Sequence, residues 1–127
     1  MNLAHVGLVF LGGGMGSVAR FAVTTSALSL STRWPVGTFL CNALGCAAAG
    51  AFVAIVDARA SLSAETRLLV MTGFLGGFTT FSAMSHDALG LSRAGHATAA
   101  AAYAVGTLAV SIAGVVLGWL TCRALIA

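Results

Sequence analysis

One short stretch, Gly73-Phe-Leu-Gly76-Gly77-Phe78-Thr79-Thr80-Phe81-Ser82, holds most of the chemistry this sequence offers. It lies inside a long apolar run. Paired glycines and β-branched threonines both weaken a helix. A helix broken there frees backbone N–H and C=O groups that lipid cannot satisfy, so they must face protein, water or an ion. The alternative is an intact helix, with the glycines used for packing and the threonines bonded back to the preceding turn.

Hydroxyl and amide groups line up elsewhere at helical spacing. Thr38 and Asn42 are four apart, and so are Tyr103, Thr107 and Ser111 in turn. Such groups can tie helices together. They are also neutral donors able to replace an anion's hydration shell without trapping the ion. Arg20 sits inside an apolar run, where a charge costs at least about 2.5 kcal/mol unless it snorkels to the interface or meets water. It is either a snorkelling side chain or the charge of an anion-attracting vestibule. Gly12-Gly-Gly-Met-Gly-Ser17 invites a nucleotide-binding reading, which fails. Position 17 is Ser, no Lys-Ser/Thr pair follows and no strand precedes it. Gly12 and Gly16, Gly45 and Ala49, and Gly114 and Gly118 instead have the spacing that lets membrane helices approach closely.

Several chemistries lack their parts. The carboxylates are Asp57, Glu65 and Asp87, all at or near the ends of apolar runs. A small drug or cation exporter, the runner-up class, needs a carboxylate deep in a span to exchange protons for cations. Neither proton relay nor covalent catalysis finds its groups, so the chain does not read as an enzyme. Cys41, Cys46 and Cys122 form no CxxC pair and read as small apolar residues. His5, His86 and His96 share no metal-ligand spacing. The six arginines are scattered singly, so no basic patch suits nucleic acid.

The elements that must position these groups are transmembrane helices. Of 127 residues, 59% are hydrophobic and 7% charged, against about 25% charged in soluble domains. The mean hydropathy is +1.02. Four apolar stretches, at about 3–28, 36–56, 66–89 and 97–125, are each long enough to span a bilayer. Together they form a single domain, 1–127. The first lacks a positive leader and reads as a span rather than a signal peptide. Pro35 favours a fresh helix start, and Ser63 is a candidate N-cap. Four spans place both termini on one side, with Arg59, Arg67 and Arg123. Arg33 and Arg93 fall on the other side, and Arg20 lies toward it. That near balance removes the asymmetry that orients membrane proteins. The chain either inserts one way on a weak bias or inserts both ways and pairs antiparallel.

Three stretches carry a resemblance. Gly13-Gly-Met-Gly-Ser-Val-Ala-Arg20, Trp34-Pro-Val-Gly-Thr38-Phe-Leu-Cys-Asn42-Ala-Leu-Gly45 and Gly73 to Ser82 resemble the signature segments of the bacterial Fluc (CrcB-type) fluoride channels. Length, span number and motif order agree as well, and the third stretch is the most specific. The resemblance implies an all-α membrane fold with a broken third helix. It implies an antiparallel dual-topology homodimer with two fluoride pores in the bacterial inner membrane, for passive fluoride efflux. It implies a central, non-transported Na⁺ held by the backbone carbonyls of Gly76 and Thr79. It places Asn42 and Phe81 on the pore, with Thr38, Ser82, Tyr103, Thr107 and Ser111 as a polar track beside it. The family's usual Phe-Ser-Thr-Phe is here Phe81-Ser-Ala-Met84, so a thioether replaces the second pore aromatic. That departure keeps open a reading as a non-conducting subunit that needs a paralogous partner in a heterodimer.

Overall fold

The computed structural model describes residues 2–31, 34–59 and 62–126. Arg33, placed above on the second side, lies outside the described residues. The architecture is all-helical. Among the described residues, four helical segments, Leu3–Ala27, Val36–Ala58, Ala64–Arg93 and Ala97–Ile126, are long and apolar enough to cross a membrane.

Helix α1 is Leu3–Ala27, opened by Asn2, whose side chain accepts from the Ala4 N–H at 3.0 Å. Helix α2 is Val36–Ala58, with Pro35 at its N-cap. The third segment is split. Its first half, α3 (residues 64–78), is α-helical at Ala64–Arg67, π-helical at Leu68–Leu75 and α-helical again at Gly76–Phe78. Ser63 caps it, accepting from the Thr66 N–H at 3.2 Å. Thr79 and Thr80 are extended, and α4 (Phe81–Arg93) follows. The sequence placed the end of this segment near residue 89, but Gly90 and Leu91 remain helical. The stop comes at Gly95, whose φ of +84° only glycine adopts readily. There the Gly95 N–H bonds Ser92 and the His96 N–H bonds Leu91, closing the last turn. Helix α5 is Ala97–Ile126.

Two parallel pairs make the bundle. α1 packs along α3, and α2 packs most extensively along α5. Small residues set both contacts. A Cβ on Gly12 or Gly16 would collide with the backbone at Leu69 or Phe74, and one on Gly77 with the backbone at Gly13. On the other pair, Gly50 lies against Val115 and Gly118 against Ala47. The adjacent glycines 76 and 77 therefore do not break the helix. They stay helical, and Gly77 serves the approach to α1. The break falls at the threonines, and beyond it the chain leaves α1 and packs on α5.

Candidate functional site

The break is built by side chains that intercept backbone bonds. In a continuous helix the Thr80 N–H would reach the Gly76 carbonyl. Here it donates to Asn42 Oδ1 at 2.7 Å, while Asn42 Nδ2 donates to the Thr80 carbonyl at 3.1 Å. The Asn42 amide thus pairs with residue 80 as a neighbouring strand would. The Ala83 N–H would reach the Thr79 carbonyl, but donates instead to Thr80 Oγ1 at 3.1 Å, the N-cap of α4. The Gly77 carbonyl, deprived of the Phe81 N–H, accepts from Arg20 Nε at 3.0 Å and from Ser17 Oγ at 3.5 Å. Thr79 closes α3 with its N–H and its hydroxyl both on the Leu75 carbonyl, each at 2.9 Å.

This geometry has electrostatic consequences. The guanidinium of Arg20 stands at the C-terminal end of α3, where the helix dipole favours a cation. The amide N–H groups of Phe81 and Ser82 lie in the first turn of α4, whose donors have no helical acceptors and favour an anion. The carbonyls of Gly76 and Thr79 have both lost their helical donors. They are neutral oxygen ligands, the donor type that suits a hard monovalent cation. Gly76 is exposed, so a second copy can approach it. The residues present therefore fit the Na⁺ that the resemblance implies. Among the described residues no cluster of three or more His, Cys, Asp or Glu could hold a metal ion.

The sequence candidates are distributed as follows. Asn42, Thr38, Tyr103 and Thr107 are buried in the helix bundle. Thr107 Oγ1 donates to its own helix at the Tyr103 carbonyl, 2.7 Å away, so its proton is not free for an anion. Ser111 is half-buried further along α5, and Ser82 is exposed beside Thr80, their hydroxyls 3.0 Å apart. Phe81 is 73% exposed, whereas Met84, one turn on, is 7% exposed. The aromatic ring faces away from its own bundle and the thioether faces into it.

The sequence marked Thr80 only as one of two β-branched residues that weaken the helix, not as a cap, and gave Ser17 no role. A threonine followed by a helical run is an N-cap signal that could have singled out Thr80. It also left Asp87 as a residue near a span end. In the fold Asp87 accepts from the Tyr103 hydroxyl at 3.4 Å and lines a cavity of about 180 Å³ together with Thr38.

Residues 7–119 match the family described as CrcB-like protein, Camphor Resistance (CrcB). The chain belongs to that family. It is 45% identical over 119 residues to a protein of Rhizobium etli (strain CIAT 652) named fluoride-specific ion channel FluC, covering 93% of this chain and 95% of that one. A protein of the same name from Francisella philomiragia is 40% identical over 116 residues, covering 88% and 89%. Fluoride-specific ion channel FluC 2 of Nitrobacter hamburgensis is 42% identical over 112 residues, covering 87% and 90%. The split third segment of this CrcB-like chain, with Asn42 clasping Thr80, is thus set in a sequence that matches such relatives over nearly its whole length.

Proposed function

We propose that the chain is a fluoride channel subunit, a multi-pass protein of the bacterial inner membrane that lets fluoride leave the cell passively. The observation that carries this reading is the clasped break. Asn42 holds Thr80 extended, so the first turn of α4 and the Phe81 ring are presented within the span rather than at its end. Fluoride is small and strongly hydrated, and needs close neutral donors at the narrowest point of its path. The second N–H of Asn42 Nδ2, the N-terminal amides of α4 and the positively polarised edge of Phe81 are such groups. Arg20 adds positive potential, and among the described residues no carboxylate pairs with it. Thr38, Ser82, Tyr103 and Ser111 form the flanking polar track, in which Thr107 turns its hydroxyl proton back to its own helix, and Met84 stands where a second aromatic is usual.

The working unit in this reading is an antiparallel, dual-topology homodimer. A ring that is 73% exposed on one chain becomes part of a pathway once a second copy covers it. By sequence position, Arg59, Arg67 and Arg123 on one side stand against Arg33 and Arg93 on the other, with Arg20 toward the latter, which leaves little bias for a single orientation. A central Na⁺ would be held by Gly76 and Thr79 carbonyls of both copies, tying them together and raising the potential felt by a passing anion.

The test is efflux from liposomes holding only this purified chain, with fluoride and chloride compared. Rapid fluoride loss with chloride retained is expected. Chloride loss at a similar rate would refute fluoride selectivity. Silence of the purified chain, restored by adding a similar second chain, would replace the homodimer with the heterodimer. Labelling single cysteines near both termini in intact cells tests topology, and labelling of every copy from one side alone would end the antiparallel homodimer.

A further inference from the structure

The parallel α2–α5 pair brings three residues together at the C-terminal ends of both helices, remote from the break. Trp119 Nε1 donates to Asp57 Oδ2 at 3.2 Å. The Arg123 guanidinium lies over the Trp119 ring, 5.0 Å from its centroid. These three residues, with Ala54, Ala58 and Ile126, line a cavity of about 430 Å³. We propose that this cavity is a binding site for a zwitterionic phospholipid headgroup, a phosphate joined to a primary ammonium.

The charges argue for that occupant. Asp57 is negative and Arg123 positive, yet among the described residues neither takes part in an ion pair within 4.0 Å. The indole stands between them, holding the carboxylate at its N–H edge and the guanidinium over its face. Two opposite charges kept apart on one wall are matched by a ligand that carries both signs at a fixed separation. Arginine suits the phosphate, which it meets with several parallel donors. Asp57 suits an ammonium that still has N–H groups to donate, which a trimethylated one lacks. A headgroup with phosphate and no ammonium would satisfy Arg123 but leave Asp57 facing a like charge. The position fits as well. Tryptophan is enriched where the bilayer meets water, and Arg123 lies in the last turn of α5, where a helix end favours a cation. Ala54, one turn before Asp57 on α2, places an apolar side chain on the bilayer side of the charged groups. One chemistry has two sources here, a lipid or soluble phosphoethanolamine, and that apolar side chain together with the membrane setting favours the lipid.

The test uses the full-length chain carrying Trp34→Phe, which leaves Trp119 as the one indole reporter. Its fluorescence is titrated with dioctanoyl lipids bearing phosphoethanolamine, phosphocholine or phosphoglycerol headgroups, and with free O-phosphoethanolamine. The phosphoethanolamine lipid should half-saturate at about tenfold lower concentration than the other two, the factor expected for one charged hydrogen bond. Asp57→Asn should remove that preference over phosphoglycerol. Arg123→Gln should weaken all three lipids, and Arg123→Lys should restore part of the loss. Gel filtration shows whether each variant keeps the parent assembly. The preference in the Asp57-containing chain stands on its own if a variant fails to fold. Equal titration by the three lipids in that chain would overturn the proposal, as would a preference that survives Asp57→Asn. Saturation by free O-phosphoethanolamine at the same concentration as the lipid would overturn the lipid assignment.

Discussion

Replacing Asn42 by alanine tests whether one side chain keeps the third span broken. The substitution removes both bonds to residue 80, leaving the Thr80 N–H and carbonyl without their partners. Each buried polar group left unsatisfied costs about 1–3 kcal/mol. The clasped break then loses about 2–6 kcal/mol relative to a continuous helix, in which the Thr80 N–H returns to Gly76. At about 1.4 kcal/mol per decade, the ratio of broken to continuous helix falls by about 30-fold to about 10⁴-fold. Two assays read this out. Fluoride efflux from liposomes should fall by that factor. Amide exchange at residues 80–83 should change as their bonding is rearranged. Asn42→Asp separates the bonds from the pathway. It keeps an acceptor for the Thr80 N–H, loses the donor to the Thr80 carbonyl and puts a negative charge where an anion must pass. It should therefore stop flux while preserving more of the exchange pattern than alanine does. Asn42→Ala with efflux within about threefold of the parent, a difference well under 1 kcal/mol, and an unchanged exchange pattern would refute the clasp.

Phe81→Ile keeps apolar bulk and removes the polarised ring edge, so fluoride efflux should drop at least about tenfold with the dimer intact by crosslinking; equal efflux would refute an aromatic role. Replacing Na⁺ with a bulky organic cation on both sides of the membrane should depress efflux and weaken the dimer, and indifference to the exchange would count against a Gly76–Thr79 cation site. Gly16→Ala sets a Cβ against the Phe74 carbonyl and should cost about 1–3 kcal/mol or more in thermal stability. Gly7→Ala, with nothing within 4 Å of the added atom, should leave the melting midpoint in place. Met84→Phe should keep dimerisation and hold or raise fluoride efflux, measured against the parent in the same vesicles.

The four apolar runs were legible because lipid tolerates so few charges that Asp57, Glu65, Asp87 and six arginines suffice to punctuate the chain. The weak point of the third span was legible too, from local composition. Its position to the residue was not. Glycines 76 and 77 have poor helix propensity, yet they remain helical because α1 lies against Gly77 and no bulkier residue fits there. The threonines give way because Asn42, 38 positions earlier, takes the Thr80 N–H. A pattern read along one helix cannot reveal that donor's destination. Arg20 illustrates the same limit. Its sequence context offered a snorkelling charge or a vestibule, and the fold gives its Nε a carbonyl 57 residues away. Asp87 was read from its distance to a span end, whereas its position is fixed by Tyr103 on α5.

The clasp between Asn42 and Thr80 also bears on how the chain is made. Neither α3 (residues 64–78) nor α4 (Phe81–Arg93) is as long as the about 20 residues a bilayer crossing requires. The insertion machinery therefore has to accept Ala64–Arg93 as one uninterrupted apolar segment. The interruption can be completed only afterwards, inside the membrane, when the already inserted α2 docks and offers its amide. Biogenesis is in this respect a two-stage event. The third span enters in one shape and is reshaped by its neighbour, so a ribosome-bound chain whose third span is complete but whose α2 has not yet docked on it should still carry an unbroken third helix.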